Sequence, residues 1–159
     1  LAVAMEELRG GRAIAYVGLL YPLVDPSQSS PSALTYADGH MLTSDFVAYA
    51  WRAYGGEPPS CRADARFDLR LADWRGFAPT TIVAAECDPL HDEGHGLAAA
   101  MTNAGVPVEL HTFSGMIHGF AGLPQFTPQA EEALALLADR LARGLGTWTA
   151  TRPSTGEEE

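Results

Sequence analysis

Residues Ala84–Gly94 read AAECDPLHDEG, and residues Gly115–Phe120 read GMIHGF. The first segment follows a run rich in β-branched residues, Thr80–Ala85, and the second follows Val108–Phe113, where apolar and polar residues alternate; both patterns predict strands. In a parallel sheet the carboxyl ends of the strands lie at one edge, and ligands bind there. We therefore expect Asp88 of the first segment and His118 of the second, 30 residues later, to meet at that edge.

Strand and helix patterns alternate along the rest of the chain. Strands are predicted at Ala13–Leu20, Thr80–Ala85 and Val108–Phe113, and helices at Leu1–Leu8, Thr43–Gly55, Asp92–Ala104 and Thr127–Leu145. The first strand is almost continuously apolar, as expected for a strand that is buried on both faces. The last helix carries leucines at helical spacing, which predicts one apolar stripe: Leu134, Leu137, Leu141 and Leu145. This order of elements indicates a parallel sheet with right-handed crossovers.

Composition and charge limit the partners that the chain can have. The formal net charge is −10, and all ten basic residues are arginines without a basic stripe, which argues against nucleic acid and against anionic membrane surfaces. No apolar run approaches the roughly 18 residues of a membrane-spanning helix. The two cysteines predict neither a disulfide framework nor a metal site. We expect a cytoplasmic protein, with secretion left open because the chain begins at Leu1.

Asp88 and His118 are the residue types that activate a serine hydroxyl. Serine is a weak nucleophile near neutral pH and needs a base within hydrogen-bond reach. Histidine suits this role because its unperturbed pKa is about 6.5, and a carboxylate holds the ring in the useful tautomer. Gly115 and Gly119 allow the loop to carry the ring to the sheet edge at no steric cost. Either residue alone is better explained as a helix cap or a loop histidine, whereas the pair favours catalysis.

The nucleophile of such a triad is not recognisable in the sequence. None of the eight serines lies in the pattern G-x-S-x-G, which holds a serine on a sharp turn between a strand and a helix. Ser114 is close to His118, but it ends a predicted strand instead of opening a helix. We expect residues 1–146 to be the C-terminal part of a domain from a longer protein, followed by a disordered acidic tail at residues 147–159.

Two further features leave alternatives open. Met116, Ile117 and Phe120 flank His118, and they either line an acyl pocket or anchor the loop in the core. His91 and His95 lie four residues apart with acids between them, a spacing similar to the zinc-binding H-E-x-x-H helix. Aspartate stands where that motif has glutamate, a glycine weakens the helix, and no third ligand is nearby in sequence, so we predict no metal.

The chain resembles the hormone-sensitive-lipase family of α/β-hydrolases, in its bacterial esterase and lipase branch. The resemblance covers roughly Leu1–Leu145 and is carried by Tyr21–Asp25, Glu86–Gly94, Ala104–Glu109 and Gly115–Phe120. It implies the C-terminal part of an α/β-hydrolase fold, with three mostly parallel strands and flanking helices. It also implies that Asp88 is the acid and His118 the base of the triad, and that the serine lies in a G-D-S-A-G-G segment shortly before Leu1.

The resemblance further implies the activity. Members of the family hydrolyse small carboxylic esters, often with short or medium acyl chains, and need no cofactor. Our first hypothesis is a serine esterase or lipase that uses a Ser-Asp-His triad, of which this chain holds the acid and the histidine and is inactive alone. The alternatives are a non-catalytic binding protein or inactive fragment on the same scaffold, and a related acyl-transfer enzyme or peptidase. The oligomeric state and the physiological substrate are not predicted.

Overall fold

A computed structural model describes residues 1–55 and 64–146 of the 159-residue chain. Its helices are α1 Ala2–Arg9, α2 Pro31–Thr35, α3 Ser44–Gly55, α4 His91–Asn103 and α5 Gln129–Gly144. Its strands are β1 Val17–Leu20, β2 Thr80–Cys87 and β3 Val108–Ile117. Short 3₁₀ turns lie at Leu69–Leu71 and Phe120–Gly122.

The three strands form one parallel sheet in the order β1-β2-β3. β2 is the central strand, and the register pairs Thr80 with Val17 on one side and with Val108 on the other. This confirms the predicted parallel sheet with flanking helices. Parallel pairing also brings the carboxyl ends of β2 and β3 to the same edge, because both strands run in one direction.

Helices cover both faces of the sheet because the side chains of β2 alternate between them. Ile82 points to the face on which Met5 of α1 and Leu97 and Met101 of α4 are buried. Val83 and its neighbour two residues on, Ala85, point to the opposite face, where they pack with Phe120 and with Ala133 of α5. We call these the α4 face and the α5 face.

The first predicted strand is shorter and less buried than expected. Strand pairing begins only at Val17, and all four residues of β1 are half-buried. Within the described residues β1 has a hydrogen-bonded neighbour only on its β2 side. An apolar run of this kind therefore predicted the strand but overestimated both its length and its burial.

The predicted leucine stripe of α5 is buried only in part, at Leu137 and Leu141. The residues of α5 that are fully buried are Ala130 and Ala133, whereas Leu134 is 45 % exposed and Leu145 is 58 % exposed. Small side chains at Ala130 and Ala133 allow the helix to approach the sheet closely, and the half-buried Leu136 and Leu137 extend this contact, with Leu137 lying against Gly18 of β1.

One helix of the structure has no counterpart among the predicted elements. Helix α2 was not predicted, although its start carries a recognisable signal: the Ser30 hydroxyl accepts from the Ala33 N–H, and Pro31 follows as the first helical residue. The predicted tail at residues 147–159, together with Gly56 and Cys61, lies outside the described residues. None of the helices in the described part of the chain combines the length and apolar character that a membrane crossing requires.

Candidate active site

Asp88 and His118 meet at the carboxyl edge of the sheet. Asp88 directly follows β2, and His118 directly follows β3. The His118 Nδ1 lies 2.8 Å from the Asp88 Oδ2. Because an ionised carboxylate can only accept, Nδ1 carries the proton, and in the neutral ring Nε2 is then the basic nitrogen.

The Asp88 carboxylate is buried and uses both of its oxygens. Its exposed fraction is 0 %. Oδ2 binds His118, while Oδ1 accepts from the Leu90 N–H at 2.9 Å, at the turn that leads into α4. Asp88 therefore caps a turn and orients a histidine at the same time. The two interpretations that the sequence offered for this residue are compatible.

The segment that carries His118 leaves the sheet through an irregularity. Ala85 pairs with Phe113, and the next pair is Cys87 with Ile117. Gly115 and Gly119 both adopt left-handed backbone angles, with φ of 72° and 76°, which only glycine adopts without a steric cost. The backbone conformation at these two positions therefore explains why glycine is found before and after His118.

Tyr21 lies against the histidine; the sequence marked it only as the first residue of the segment Tyr21–Asp25 and gave it no role. The centroids of the Tyr21 and His118 rings are 4.8 Å apart. The Tyr21 hydroxyl accepts a hydrogen bond from the Ala121 N–H at 3.1 Å. The backbone N–H of Tyr21 donates to the Val83 carbonyl at 2.7 Å. Its backbone φ of 37° is strained for a tyrosine, and burial raises the pKa of its hydroxyl. Tyr21 thus connects β1 to the turn after His118.

Glu93 is a second residue to which the sequence assigned no role, although it lies near the end of the first quoted segment, Ala84–Gly94. It is only 6 % exposed. Its Oε2 accepts from the Val24 N–H at 2.6 Å and from the Asp25 N–H at 2.7 Å, while Oε1 is buried without a hydrogen-bond partner. Burial raises the pKa of Glu93 to about 7, with the nearby Asp25 and Asp88 acting in the same direction and the two N–H donors opposing them.

The three apolar residues around His118 have different environments. Phe120 is 1 % exposed and belongs to the core of the α5 face, which supports the anchoring alternative for this residue. Met116 is half-buried against the same core, and Ile117 is half-buried. Substrate contact by Met116 and Ile117 stays a prediction. An additional residue, Met41, lies beside the histidine loop, with its Sδ 3.8 Å from the position that a Cβ would take at Gly119.

His91 and His95 are both engaged with protein atoms. Their ring centroids are 4.4 Å apart. The His91 Nδ1 bonds the Ala85 carbonyl at 3.0 Å, and the His95 Nε2 bonds the Thr112 hydroxyl at 3.0 Å. Among the described residues, no group of three or more His, Cys, Asp and Glu side chains is placed to hold a metal ion. The sequence-based prediction that there is no metal stays a prediction.

The serines of residues 1–55 and 64–146 have partners other than His118. The pairs Ser27 with Ser29 and Ser30 with Ser32 bond each other, Ser44 donates to the Ala33 carbonyl, and Ser114 donates to Glu86. Ser114 does not open a helix, as expected, but it lies inside β3, which continues to Ile117, and does not end the strand. No hydroxyl of these serines is therefore bonded to the basic nitrogen of His118.

A parallel sheet covered by helices on both faces, with an acid and a histidine after successive strands, is the arrangement of the α/β-hydrolases. The chain belongs to this family, because a family model described as an alpha/beta hydrolase fold matches residues 1–122. The resemblance to the hormone-sensitive-lipase branch is thereby confirmed.

Several curated relatives are named as ester hydrolases. The chain is 32 % identical over 128 residues to an ethyl acetate hydrolase of Pseudomonas putida, a match that covers 80 % of this chain and 40 % of the relative. It is 36 % identical over 129 residues to the esterase LipI of Mycobacterium tuberculosis, covering 78 % of this chain and 39 % of that protein. The chain thus spans well under half the length of these relatives.

Solved structures agree with this assignment. A bacterial heroin esterase superposes with a TM-score of 0.81 at 28 % sequence identity, covering 91 % of this chain and 47 % of the other. A thermostable carboxylesterase cloned from a metagenomic library also gives a TM-score of 0.81 at 28 % identity, covering 91 % of this chain and 50 % of the other.

Proposed function

We propose that this chain supplies the acid, Asp88, and the base, His118, of a serine carboxylic ester hydrolase. The observation that carries the proposal is the 2.8 Å contact between the His118 Nδ1 and the buried Asp88 carboxylate. It leaves Nε2 as the nitrogen that can take a proton. The names of the relatives, an ethyl acetate hydrolase and esterases, support a small carboxylic ester as the substrate.

The nucleophile belongs to the proposal as well. The serine hydroxyls of the described residues are all bonded to groups other than His118. We place the reacting serine on a segment of the parent protein that precedes Leu1, in a G-D-S-A-G-G sequence. The coding DNA immediately upstream of Leu1 tests this directly. An in-frame start there without such a motif would favour a non-catalytic protein on the same scaffold.

The proposed chemistry proceeds in two matched steps. The His118 Nε2 takes the proton of the serine hydroxyl while the serine oxygen forms a bond to the acyl carbon of the ester. The bond between that carbon and the alcohol oxygen then breaks, and His118 gives the proton to the departing alcohol. Water then forms a bond to the same carbon while His118 takes a proton from it; the bond to the serine oxygen breaks, His118 returns the proton to that oxygen, and the carboxylic acid is released. Throughout, Asp88 stabilises the positively charged ring.

The test uses the complete parent protein and p-nitrophenyl butyrate. We expect His118→Ala and Asp88→Asn each to lower kcat/KM by roughly three to four orders of magnitude, because triad members act as a unit. The matched control is His111→Ala, which removes a histidine of β3 that bonds Glu109 at 3.1 Å and has no contact with the pair. Near-normal turnover by His118→Ala would overturn the assignment.

A further inference from the structure

Strand β3 contains two more residues than β2 at the point where it approaches the site. The strands pair regularly as far as Ala85 with Phe113, and then Cys87 pairs with Ile117. A single residue of β2, Glu86, therefore stands opposite the three residues Ser114–Met116 of β3. This bulge comes directly before His118, so its geometry decides where the histidine leaves the sheet.

Glu86 holds this bulge through two short hydrogen bonds. Its Oε2 accepts from the Ser114 hydroxyl at 2.7 Å and from the Gly115 N–H at 2.6 Å. A bulge takes backbone donors out of the regular ladder, and such donors need another acceptor. The Glu86 carboxylate supplies that acceptor for Gly115, the residue whose φ of 72° turns the strand.

The contacts of Glu86 differ from those of Glu109, a carboxylate elsewhere in the sheet. Glu109 lies on β3 itself and binds the Arg140 guanidinium at 2.7 Å, an exposed ion pair of a common kind. Both hydrogen bonds that Glu86 accepts in the described structure come instead from the bulge. These bonds lower the pKa of Glu86, with the nearby His91 adding to the effect. The carboxylate therefore stays ionised to a lower pH than that of an ordinary glutamate.

We propose that Glu86 is a positioning residue for His118. The Glu86 carboxylate fixes the Ser114–Met116 bulge so that the His118 Nδ1 faces Asp88. Two residues at the carboxyl end of β2 then act on the position of His118. Asp88 bonds the ring, and Glu86, two residues earlier, bonds the backbone that carries the ring. The catalytic consequence rests on the function proposed above, whereas the structural consequence does not.

The experiment compares Glu86→Ala, Glu86→Gln and Ser114→Ala, with Glu109→Gln as the matched control. The first measurement is proton NMR of the complete protein, observing the low-field resonance of the His118 Nδ1–H that bonds Asp88, assigned by its loss in His118→Ala. We expect Glu86→Ala to broaden or remove this resonance. Glu86→Gln should retain it, because an amide oxygen can accept the same two bonds, and Glu109→Gln should leave it unchanged.

The second measurement separates kcat from KM for p-nitrophenyl butyrate. A displacement of about 1 Å at a reacting group costs up to roughly 10²-fold, so we expect kcat of Glu86→Ala to fall about 10- to 100-fold with KM nearly unchanged. Ser114→Ala removes one of the two bonds and should have a smaller effect. The Glu86→Ala and Ser114→Ala effects should be less than additive, because both substitutions break the same contact.

The two proposals fail in different ways. An unchanged Nδ1–H resonance and an unchanged kcat in Glu86→Ala would overturn the positioning role. If Glu86→Ala does not fold, the same judgement rests on Ser114→Ala: an unchanged resonance and kcat there overturn the role. High activity of His118→Ala would overturn the proposed function alone, since the resonance still reports whether Glu86 holds the histidine.

Discussion

The two faces of the sheet are filled in different ways. On the α4 face the core combines Leu97 and Met101 of α4, packed on Ile82, with large side chains from connecting segments such as Trp74 and Phe77. On the α5 face the helix contributes Ala133, and the bulk comes from Phe120, which lies in the loop after His118. The small Ala133, with Leu136 only partly buried beside it, thus leaves room on the α5 face for the loop that carries the candidate base.

This difference indicates that the α4 face contributes most to the free energy of unfolding and that the α5 face positions the candidate histidine. Met101 is 0 % exposed, so its side chain cannot be shortened without leaving a cavity. The α5 face, by contrast, contains Tyr21 and Phe120, whose rings lie 5.7 Å apart beside the histidine loop. Substitutions on the α4 face should therefore affect the free energy of unfolding first, and substitutions beside the loop should affect turnover first.

The largest expected effect on stability is that of Met101→Ala on the α4 face. Removing a fully buried methionine side chain loses its transfer free energy and leaves a cavity, which costs about 2–5 kcal/mol. The matched substitution on the other helix, Leu134→Ala, should change the free energy of unfolding by less than about 0.5 kcal/mol, because Leu134 is exposed. Urea unfolding of both variants measures the difference. Equal losses would mean that the leucines of α5 belong to the core after all.

An intermediate effect is expected for Glu93→Gln, also on the α4 side, and it depends on pH. The folded-state pKa of Glu93 is raised to about 7 from its ordinary 4.5, so the folded protein binds the proton more tightly than the unfolded chain. Its contribution to stability is complete below about pH 4.5 and is lost as the pH rises through about 7. A shift of this size corresponds to at most about 3 kcal/mol.

Urea midpoints of the wild type and Glu93→Gln at several pH values test this. Glutamine does not titrate and keeps an oxygen for the Val24 and Asp25 N–H groups. The stability of the wild type relative to the variant should therefore fall between about pH 4.5 and pH 8. A difference that is constant over this range would show that Glu93 titrates near its ordinary pKa.

Local patterns predicted the central part of the molecule well. β2 and α4 lie close to their predicted bounds, because strongly apolar or periodic segments specify their own structure. β3 begins at the predicted Val108 but continues four residues past the predicted Phe113, to Ile117. The meeting of Asp88 and His118 followed from the direction of two parallel strands and needed no further information. The leucines of α5 misled because hydrophobicity alone does not say how closely a helix can approach a sheet.

The residues around the acid and histidine pair could not be predicted in the same way. The Tyr21 hydroxyl bonds the Ala121 N–H across 100 residues of sequence, and Glu93 bonds Asp25 across 68. Periodicity carries no information about such pairs, since it describes only neighbours within one element. Glu86 and Glu93 both lie in the segment quoted first, so the motif marked their position, but only the structure supplied their partners.

The smallest expected effect is that of Tyr21→Phe, and it tests whether the α5 face serves the site. Phenylalanine keeps the ring against His118 and removes only the hydroxyl that bonds the Ala121 N–H. The matched control is Tyr16→Phe, which removes a hydroxyl that bonds the Thr81 Oγ1 at 2.8 Å and has no contact with the histidine. Each lost hydrogen bond should cost about 1 kcal/mol of stability.

The two tyrosine variants should differ in turnover by the complete parent protein, measured with p-nitrophenyl butyrate. The Tyr21 hydroxyl holds the 3₁₀ turn that begins two residues after His118, so its loss should loosen the histidine loop and lower kcat by about fivefold, the equivalent of about 1 kcal/mol. Tyr16→Phe should leave kcat unchanged, because its bond lies elsewhere. If both variants lose the same stability and neither loses turnover, the α5 face only packs the loop, and the orientation of His118 depends on β2 alone.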